Sequence, residues 1–243
     1  MIATKSLNDG QKQFEMSRTY WTTLTSSILV FVSSMMGIFV RGTYSRYTSS
    51  LASQARAQDM ADIIAVAILL TGIYFMNKQS VRGLQLWAGG LLFLIYAFVI
   101  YSFGAPFNEL FLLYVAILGL VVYTFIGGVL RLNFERIGEL SQMEQKSRLA
   151  LGAVLVILGI AFYFLWLSQD VPAPLSGTVP ISVTQAGELV NPVHVLDMAL
   201  YLPALILIGA SLLKNRWLGY VFGVPLLVFS ILTFVAIGFI IAT

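Results

Sequence analysis

Seven apolar stretches, each long enough to cross a lipid bilayer, recur along the chain and constrain its fold more than any other feature. They cover approximately residues 20–40, 60–76, 84–102, 110–130, 149–168, 193–213 and 217–241. A hydrocarbon core of about 30 Å needs roughly 20 apolar residues per helix. The stretches are continuous rather than alternating, which disfavours a transmembrane β-barrel. The sequence therefore predicts an all-α fold, a polytopic bundle of seven transmembrane helices.

Little sequence remains for a soluble domain, because 58% of the 243 residues are hydrophobic and only 10% are charged. We expect residues 1–19 to form a cytoplasmic arm and residues 20–243 to form a single membrane domain. Residues 41–58 and 169–190 are predicted as external loops, the first with a short surface helix around residues 51–58, and residues 131–148 as a cytoplasmic loop.

The basic residues are sorted into alternate gaps between the apolar stretches. Of the 14 Lys and Arg residues, only Arg41, Arg46 and Arg56 fall on one side of the predicted membrane, and the other 11 fall on the opposite side. Cytoplasmic loops carry an excess of Lys and Arg, so the pattern predicts that the N-terminus is inside and the C-terminus outside. These charges lie at helix ends, which predicts the lipid bilayer as the partner and gives no signal for nucleic acid.

Several kinds of catalysis are disfavoured by the residues that the chain lacks. It contains no cysteine, which excludes disulfides, thiol nucleophiles and iron–sulfur clusters. No Walker motif, GxSxG or HExxH is present. The sequence therefore favours a role other than that of an enzyme.

The gaps carry some local structure. Residues 131–148 show helical spacing, which predicts an extension of the fourth helix or a helix on the membrane surface. The segment TVPISVT at 178–184 is rich in β-branched residues and predicts a short strand pair within a proline-rich loop. Asn191 followed by Pro192 predicts a helix start, because Asn caps free N–H groups and Pro has no N–H to leave unpaired. Pro203 is expected to disturb the sixth helix.

Small residues within the apolar stretches predict close helix–helix packing. They are Ser26, Ser33, Gly89, Gly90, Gly119, Gly127, Gly128, Gly152 and Gly159.

Ionisable side chains cluster in the half of the predicted membrane that we assign to the outer side. His194, Asp197 and Tyr201 are spaced three and then four residues apart, which places them on one helical face. Asp59 and Asp62 begin the second helix on the same side and also share a face. A carboxylate at this depth is costly unless it faces protein or water. These residues therefore predict a polar pocket that opens outward.

Three roles fit this pocket. The first is binding or transport of a small polar solute or ion, with ligand-binding residues Asp62, His194, Asp197, Tyr201, Arg41, Arg46 and Arg56. The second is a membrane-embedded hydrolase that depends on a divalent metal held by Asp59, Asp62, His194 and Asp197, which are suitable ligand types. The third is a scaffold subunit without catalysis, in a homo-oligomer or a membrane complex, where buried charges fix the packing.

Two stretches, IYSFGAPFNELFLLYVAILGL at 100–120 and NPVHVLDMALYLPALILIG at 191–209, resemble those of a family of prokaryotic multi-pass integral membrane proteins. The resemblance implies a bacterial or archaeal cytoplasmic membrane as the location. It implies no activity and no site residue.

Overall fold

The computed structural model describes residues 2–242, with side chains described for residues 18–134 and 136–242. The helices are α1 (Ile2–Phe39), α2 (Ser49–Met76), α3 (Val81–Phe103), α4 (Phe111–Val129), α5 (Phe134–Leu140), α6 (Gln145–Asp170), α7 (Pro172–Ser176), α8 (Ile181–Ala186), α9 (Pro192–Leu196), α10 (Leu202–Leu213) and α11 (Trp217–Ala242). A single π-helical segment, Asp197–Tyr201, joins α9 to α10. No strand occurs in this range.

Seven helical spans in the described range are long and apolar enough to cross a membrane, which confirms the predicted fold class. They are Arg18–Phe39, Ser49–Met76, Val81–Phe103, Phe111–Val129, Gln145–Ser176, Pro192–Leu213 and Trp217–Ala242. Large apolar side chains such as Leu112, Tyr123 and Phe164 lie exposed on the outside of the bundle. Such an apolar exterior is suited to lipid, and the chain is a multi-pass transmembrane helix bundle.

The second helix begins earlier than its hydropathy indicates. Thr48 caps it, since its side chain accepts a hydrogen bond from the backbone N–H of Leu51. The segment around residues 51–58, predicted as a short surface helix in an external loop, is helical but belongs to the first turns of α2. In the same way α1 runs without a break through most of the predicted arm 1–19. Hydropathy locates where a helix enters the apolar layer, whereas capping decides where the helix begins.

The predicted strand pair at 178–184 is wrong, because residues Ile181–Ala186 form helix α8. Gly177 and Gly187 end α7 and α8 in the left-handed conformation that glycine adopts without strain. The segment 131–148 does contain a helix, but α5 is separate from α4 and starts at an Asn133 cap. The helix start at Asn191 is confirmed, since its side chain accepts from the N–H groups of Val193 and His194.

Glycines bring α6 and α10 into backbone contact. A Cβ on Gly209 would lie 2.7 Å from the carbonyl oxygen of Gly152, and one on Gly159 would lie 3.1 Å from the carbonyl oxygen of Leu202. This is the close approach that small residues allow in membranes, where packing replaces the hydrophobic effect between helices.

A second close approach surrounds Trp87, which is fully buried on α3. A Cβ on Gly72 would lie 2.7 Å from its backbone nitrogen, and one on Gly128 would clash with its ring. The indole N–H donates to the Thr23 hydroxyl at 2.9 Å, so one residue links α1, α2, α3 and α4.

The expectation that Gly119 and Gly127 serve packing is wrong. A Cβ at either position would meet no atom within 4 Å, so both glycines face open space on the surface of α4. The composition of a helix shows which residues are small, but not which of its faces meets a neighbour.

We predict that Gly209→Ala destabilises the protein by about 1–3 kcal/mol, because the added methyl group forces α6 and α10 apart. Gly119→Ala is the matched control, since it adds the same methyl group to a helix interior that faces open space. Thermal unfolding in detergent should show a lower Tm for the first variant and an unchanged or higher Tm for the second. Equal Tm values for both variants would contradict the close contact.

Candidate binding cavity

One end of the bundle gathers the N-terminal ends of α2 and α9 and the C-terminal ends of α3, α6 and α11; we call it the cavity end. Hydrogen bonds tie its connecting segments together. The Thr48 hydroxyl donates to the Ala186 carbonyl at 3.3 Å, and the Arg46 guanidinium donates to the Phe107 carbonyl at 3.2 Å. The first of these bonds holds the segment between α6 and α9 against the start of α2, and the second holds the connection between α3 and α4.

A cavity of about 390 Å³ lies at this end, between α2, α3, α6, α11 and the sixth span. This volume is within the range of about 300–1,000 Å³ that is typical of small-molecule sites. Its wall combines aromatic rings with a few polar groups. The aromatic residues are Tyr47, Phe93, Tyr96, Tyr101, Phe162, Trp166, Tyr201 and Phe234, and the polar ones include Gln54, Gln58, Gln169, Gln185, Glu188, Asn191, His194 and Asp197.

Asp197 is the most buried acidic residue of this wall, with 5% of its surface exposed. The Tyr96 hydroxyl donates to its Oδ1 at 2.9 Å, and the Trp166 indole N–H donates to its Oδ2 at 2.8 Å. Both donors are neutral groups, so neither supplies a positive charge to the carboxylate. Tyr201 lies one turn further along and donates to the Ser230 hydroxyl at 2.7 Å.

His194 lies beside this carboxylate on the same wall. Its Nδ1 is 3.0 Å from both carboxylate oxygens of Asp170, at the end of α6. Its ring stacks on Trp166, with the ring centroids 4.2 Å apart. The structure thus brings His194, Asp197 and Tyr201 together around one cavity, as their spacing predicts.

A wide turn places these residues. At the π-helical segment, the N–H of Leu202 donates to the carbonyl of Asp197, five residues earlier. Pro203 follows and has no N–H, so a carbonyl in the preceding turn loses its usual donor. The Tyr163 hydroxyl of α6 supplies one instead, at 2.6 Å from the Met198 oxygen. Proline accounts for the wide turn, and Tyr163 satisfies the carbonyl that it leaves free.

Asp59 lies behind the cavity wall, between α1, α2 and α3. The Tyr44 hydroxyl donates to its Oδ2 at 2.6 Å, and the Tyr101 hydroxyl lies 3.0 Å from its Oδ1. Gly37 of α1 makes room for the carboxylate, because a Cβ there would clash with Asp59 Oδ2. Burial first, and then the charge of Asp59, raise the pKa of Tyr44 well above its usual value. Tyr44 therefore remains a proton donor to Asp59.

Asp62, one turn deeper on the same face, is fully buried. The Gln58 amide donates to its Oδ1 at 2.8 Å, whereas its Oδ2 has no hydrogen-bond partner. Ser34 of α1 is also fully buried, and its hydroxyl has no partner. Ser34 precedes Gly37 by three residues on the antiparallel helix, so helical geometry sets it at the depth of Asp62.

The predicted ligand residues therefore divide into two groups. His194 and Asp197 line the cavity, while Asp59 and Asp62 lie in the α1–α2 interface. Tyr101 connects Asp59 to the wall, and Gln58 connects Asp62 to it. Within the described part of the chain, no three His, Asp or Glu side chains converge as a metal site requires. The four residues proposed as metal ligands do not form one site.

Arg41, Arg46 and Arg56 are exposed, and none of them lines the cavity. Arg46 instead anchors a loop through the Phe107 carbonyl. The structure thus leaves the three predicted basic residues outside the cavity wall that contains Asp197.

Sequence reasoning missed three contributors. Asp170 and Glu188 fall in the predicted loop 169–190, and Trp166 falls in the fifth apolar stretch, whose pattern does not indicate its contacts. Glu188 lines the cavity between α8 and α9, and burial raises its pKa above the usual value for a glutamate. Each residue can be recognised as part of the cavity only once the ends of α6 and α9 are known to lie side by side.

Comparison with protein families, curated proteins and solved structures found no match to the chain. The function proposed for it therefore depends on the geometry of its own residues.

We predict that Gly37→Ala destabilises the protein by about 1–3 kcal/mol, because the methyl group displaces the Asp59 carboxylate from its hydroxyl donors. Gly127→Ala is the control, since it adds a methyl group on a face of α4 where no neighbouring atom lies within 4 Å. Thermal unfolding in detergent measures both.

The double variant Gly37→Ala, Asp59→Ala tests the cause. Removing the carboxylate removes the clash, so the two substitutions should cost less together than the sum of their separate effects. Strict additivity would show that Gly37 acts through some other contact.

Proposed function

We propose that the protein binds a small polar solute or ion in the cavity at the end of the bundle, as the first step of its recognition or transport. The observation that carries the proposal is Asp197, a carboxylate within a membrane span whose two hydrogen-bond donors are both neutral and which faces a cavity large enough for a ligand. An ionisable side chain in a membrane is expensive and marks a functional site by default.

The other two roles have less support. A metal-dependent hydrolase needs converging ligands, and the four predicted residues are divided between the cavity wall and the α1–α2 interface. A scaffold that uses Asp197 only for packing needs no cavity beside it. The cavity wall also contains Ser182, whose hydroxyl is buried without a hydrogen-bond partner.

We further propose that the cavity end faces away from the cytoplasm, in the cytoplasmic membrane of a prokaryote. The connections at the opposite end carry most of the basic residues, and Lys and Arg are retained on the cytoplasmic side. Among them, Arg148 donates to the carbonyls of Leu212 and Leu213 at the end of α10. A ligand would then enter from the outside.

Filling the cavity tests the binding function. Thr233→Phe places a ring in the wall on α11, whereas Ile231→Phe, two residues away on an exposed face, adds a ring outside it. The purified chain is titrated with a panel of soluble cations, anions and neutral solutes, and Tm is recorded. We expect at least one compound to raise the Tm of the wild type and of Ile231→Phe, but not that of Thr233→Phe. A panel without such a compound would contradict the proposal.

The absence of cysteine makes the orientation directly testable. Ser45→Cys lies in the exposed connection at the cavity end, and Gln142→Cys lies exposed near α5 at the other end. A membrane-impermeant maleimide should label the first variant in intact cells and the second only after lysis. The reverse pattern would show that the cavity faces the cytoplasm.

A further inference from the structure

The geometry points to a ligand class: we propose that the cavity takes an organic cation, an amine or quaternary ammonium group carried on an apolar or aromatic body. This inference rests on the proposed function, because it names the kind of solute that the same cavity binds.

The charge of the wall is the first argument. Asp197 and Glu188 are its acidic residues, and no Lys or Arg of the described chain lines it. His194 is within 3.0 Å of the Asp170 carboxylate, so any positive charge on its ring already has a partner. An anion would meet two carboxyl groups without a compensating cation, whereas a cation would supply the charge that the neutral donors Tyr96 and Trp166 cannot give to Asp197.

The aromatic rings are the second argument. Trp166 and Tyr96 hold the carboxylate, and Tyr201 packs against Tyr96 with the ring centroids 6.4 Å apart. Phe93 and Phe162 extend the aromatic wall around the same space. Faces of Trp and Tyr attract ammonium groups, and several rings around one acid form the aromatic cage that recognises quaternary ammonium ligands. A small hydrated metal ion would gain nothing from this wall.

The shape of the cavity is the third argument. Glu188 and Ser182 lie between α7 and α9, whereas Leu158 and Leu205 lie deeper along α6 and α10. The acidic groups are thus concentrated toward the cavity end, and the deeper lining on α6 and α10 is apolar. This gradient fits a ligand with one charged end and one apolar end.

Such a cation has two sources, a soluble amine or the amine headgroup of a lipid. The test uses the full chain in a non-ionic detergent after lipid removal. Benzyltrimethylammonium is compared with phenylacetate and benzyl alcohol, which have similar bodies but a negative charge and no charge. In a further arm, short-chain phosphatidylethanolamine is compared with phosphatidylglycerol. Binding is followed by thermal shift and by calorimetry.

We expect benzyltrimethylammonium to bind saturably at concentrations where phenylacetate and benzyl alcohol do not. Glu188→Gln and Asp197→Asn should each weaken it roughly tenfold, the change that corresponds to about 1.4 kcal/mol. Glu109→Gln, an exposed acid outside the cavity, is the matched control and should bind like the wild type. If Asp197→Asn fails to fold, the affinity of Glu188→Gln for benzyltrimethylammonium tests the cation class, because Glu188 lies in a half-buried loop.

The outcomes separate the two proposals. Binding of phosphatidylethanolamine but of neither phosphatidylglycerol nor the soluble cation would support the cation class with a lipid as its source. Binding of phenylacetate or benzyl alcohol that Thr233→Phe abolishes would overturn the cation class and retain the binding cavity. No binding of any probe, together with an unresponsive solute panel, would overturn both. Cation binding that survives both acidic substitutions would also overturn the class.

Discussion

A polar group within the hydrocarbon layer is costly unless it finds a partner inside the protein, and the arrangement of this bundle depends on that constraint. It explains why the carboxylates within the spans are linked to neutral donors. Asp59 is held by two tyrosine hydroxyls, and Asp197 by a tyrosine and a tryptophan. Trp87, although apolar for most of its surface, still directs its N–H at Thr23.

The same constraint connects the sixth span to the cavity. Pro203 removes a backbone donor in the middle of an apolar helix, and the wide turn before it would leave the Met198 carbonyl without a donor if Tyr163 were not on α6. The turn also sets the direction of Asp197, because its own carbonyl accepts the bond that widens the helix. The same π-helical turn therefore requires the hydrogen bond from Tyr163 and positions Asp197 in the candidate site. Such π-helical turns occur frequently at functional sites.

The sequence was sufficient for the fold class, because the length and hydropathy of each span act locally. It was also sufficient for one cluster: the spacing of His194, Asp197 and Tyr201 is a property of a single helix. It was not sufficient for the partners of that cluster. Asp170 and Trp166 reach His194 only because the end of α6 packs beside α9, and nothing in the pattern of either helix records this contact.

The helix boundaries and the role of the arginines show a second limit. Hydropathy does not register that Thr48 caps α2 well before its apolar part begins at about residue 60. Placing Arg41, Arg46 and Arg56 on the same side as the acids suggested one binding site, yet shared depth does not determine direction, and none of the three lines the cavity. Gly119 and Gly209 look alike in sequence, but only Gly209 faces a neighbouring backbone. In each case, the missing information is which face of a helix meets which neighbour.

Gln58 belongs to two environments at once. Its side chain is part of the cavity wall, and its amide is the hydrogen-bond partner of the fully buried Asp62. A cavity occupant that draws this amide toward itself would leave both oxygens of Asp62 without a donor, at the interface where α2 meets Gly37 and Ser34 of α1. Were the cavity to bind a ligand as proposed, its occupancy and the packing of α1 against α2 would be thermodynamically linked, and the linkage would be reciprocal. Tightening of that interface would then alter the affinity of the cavity, which would couple two sites that share no ligand.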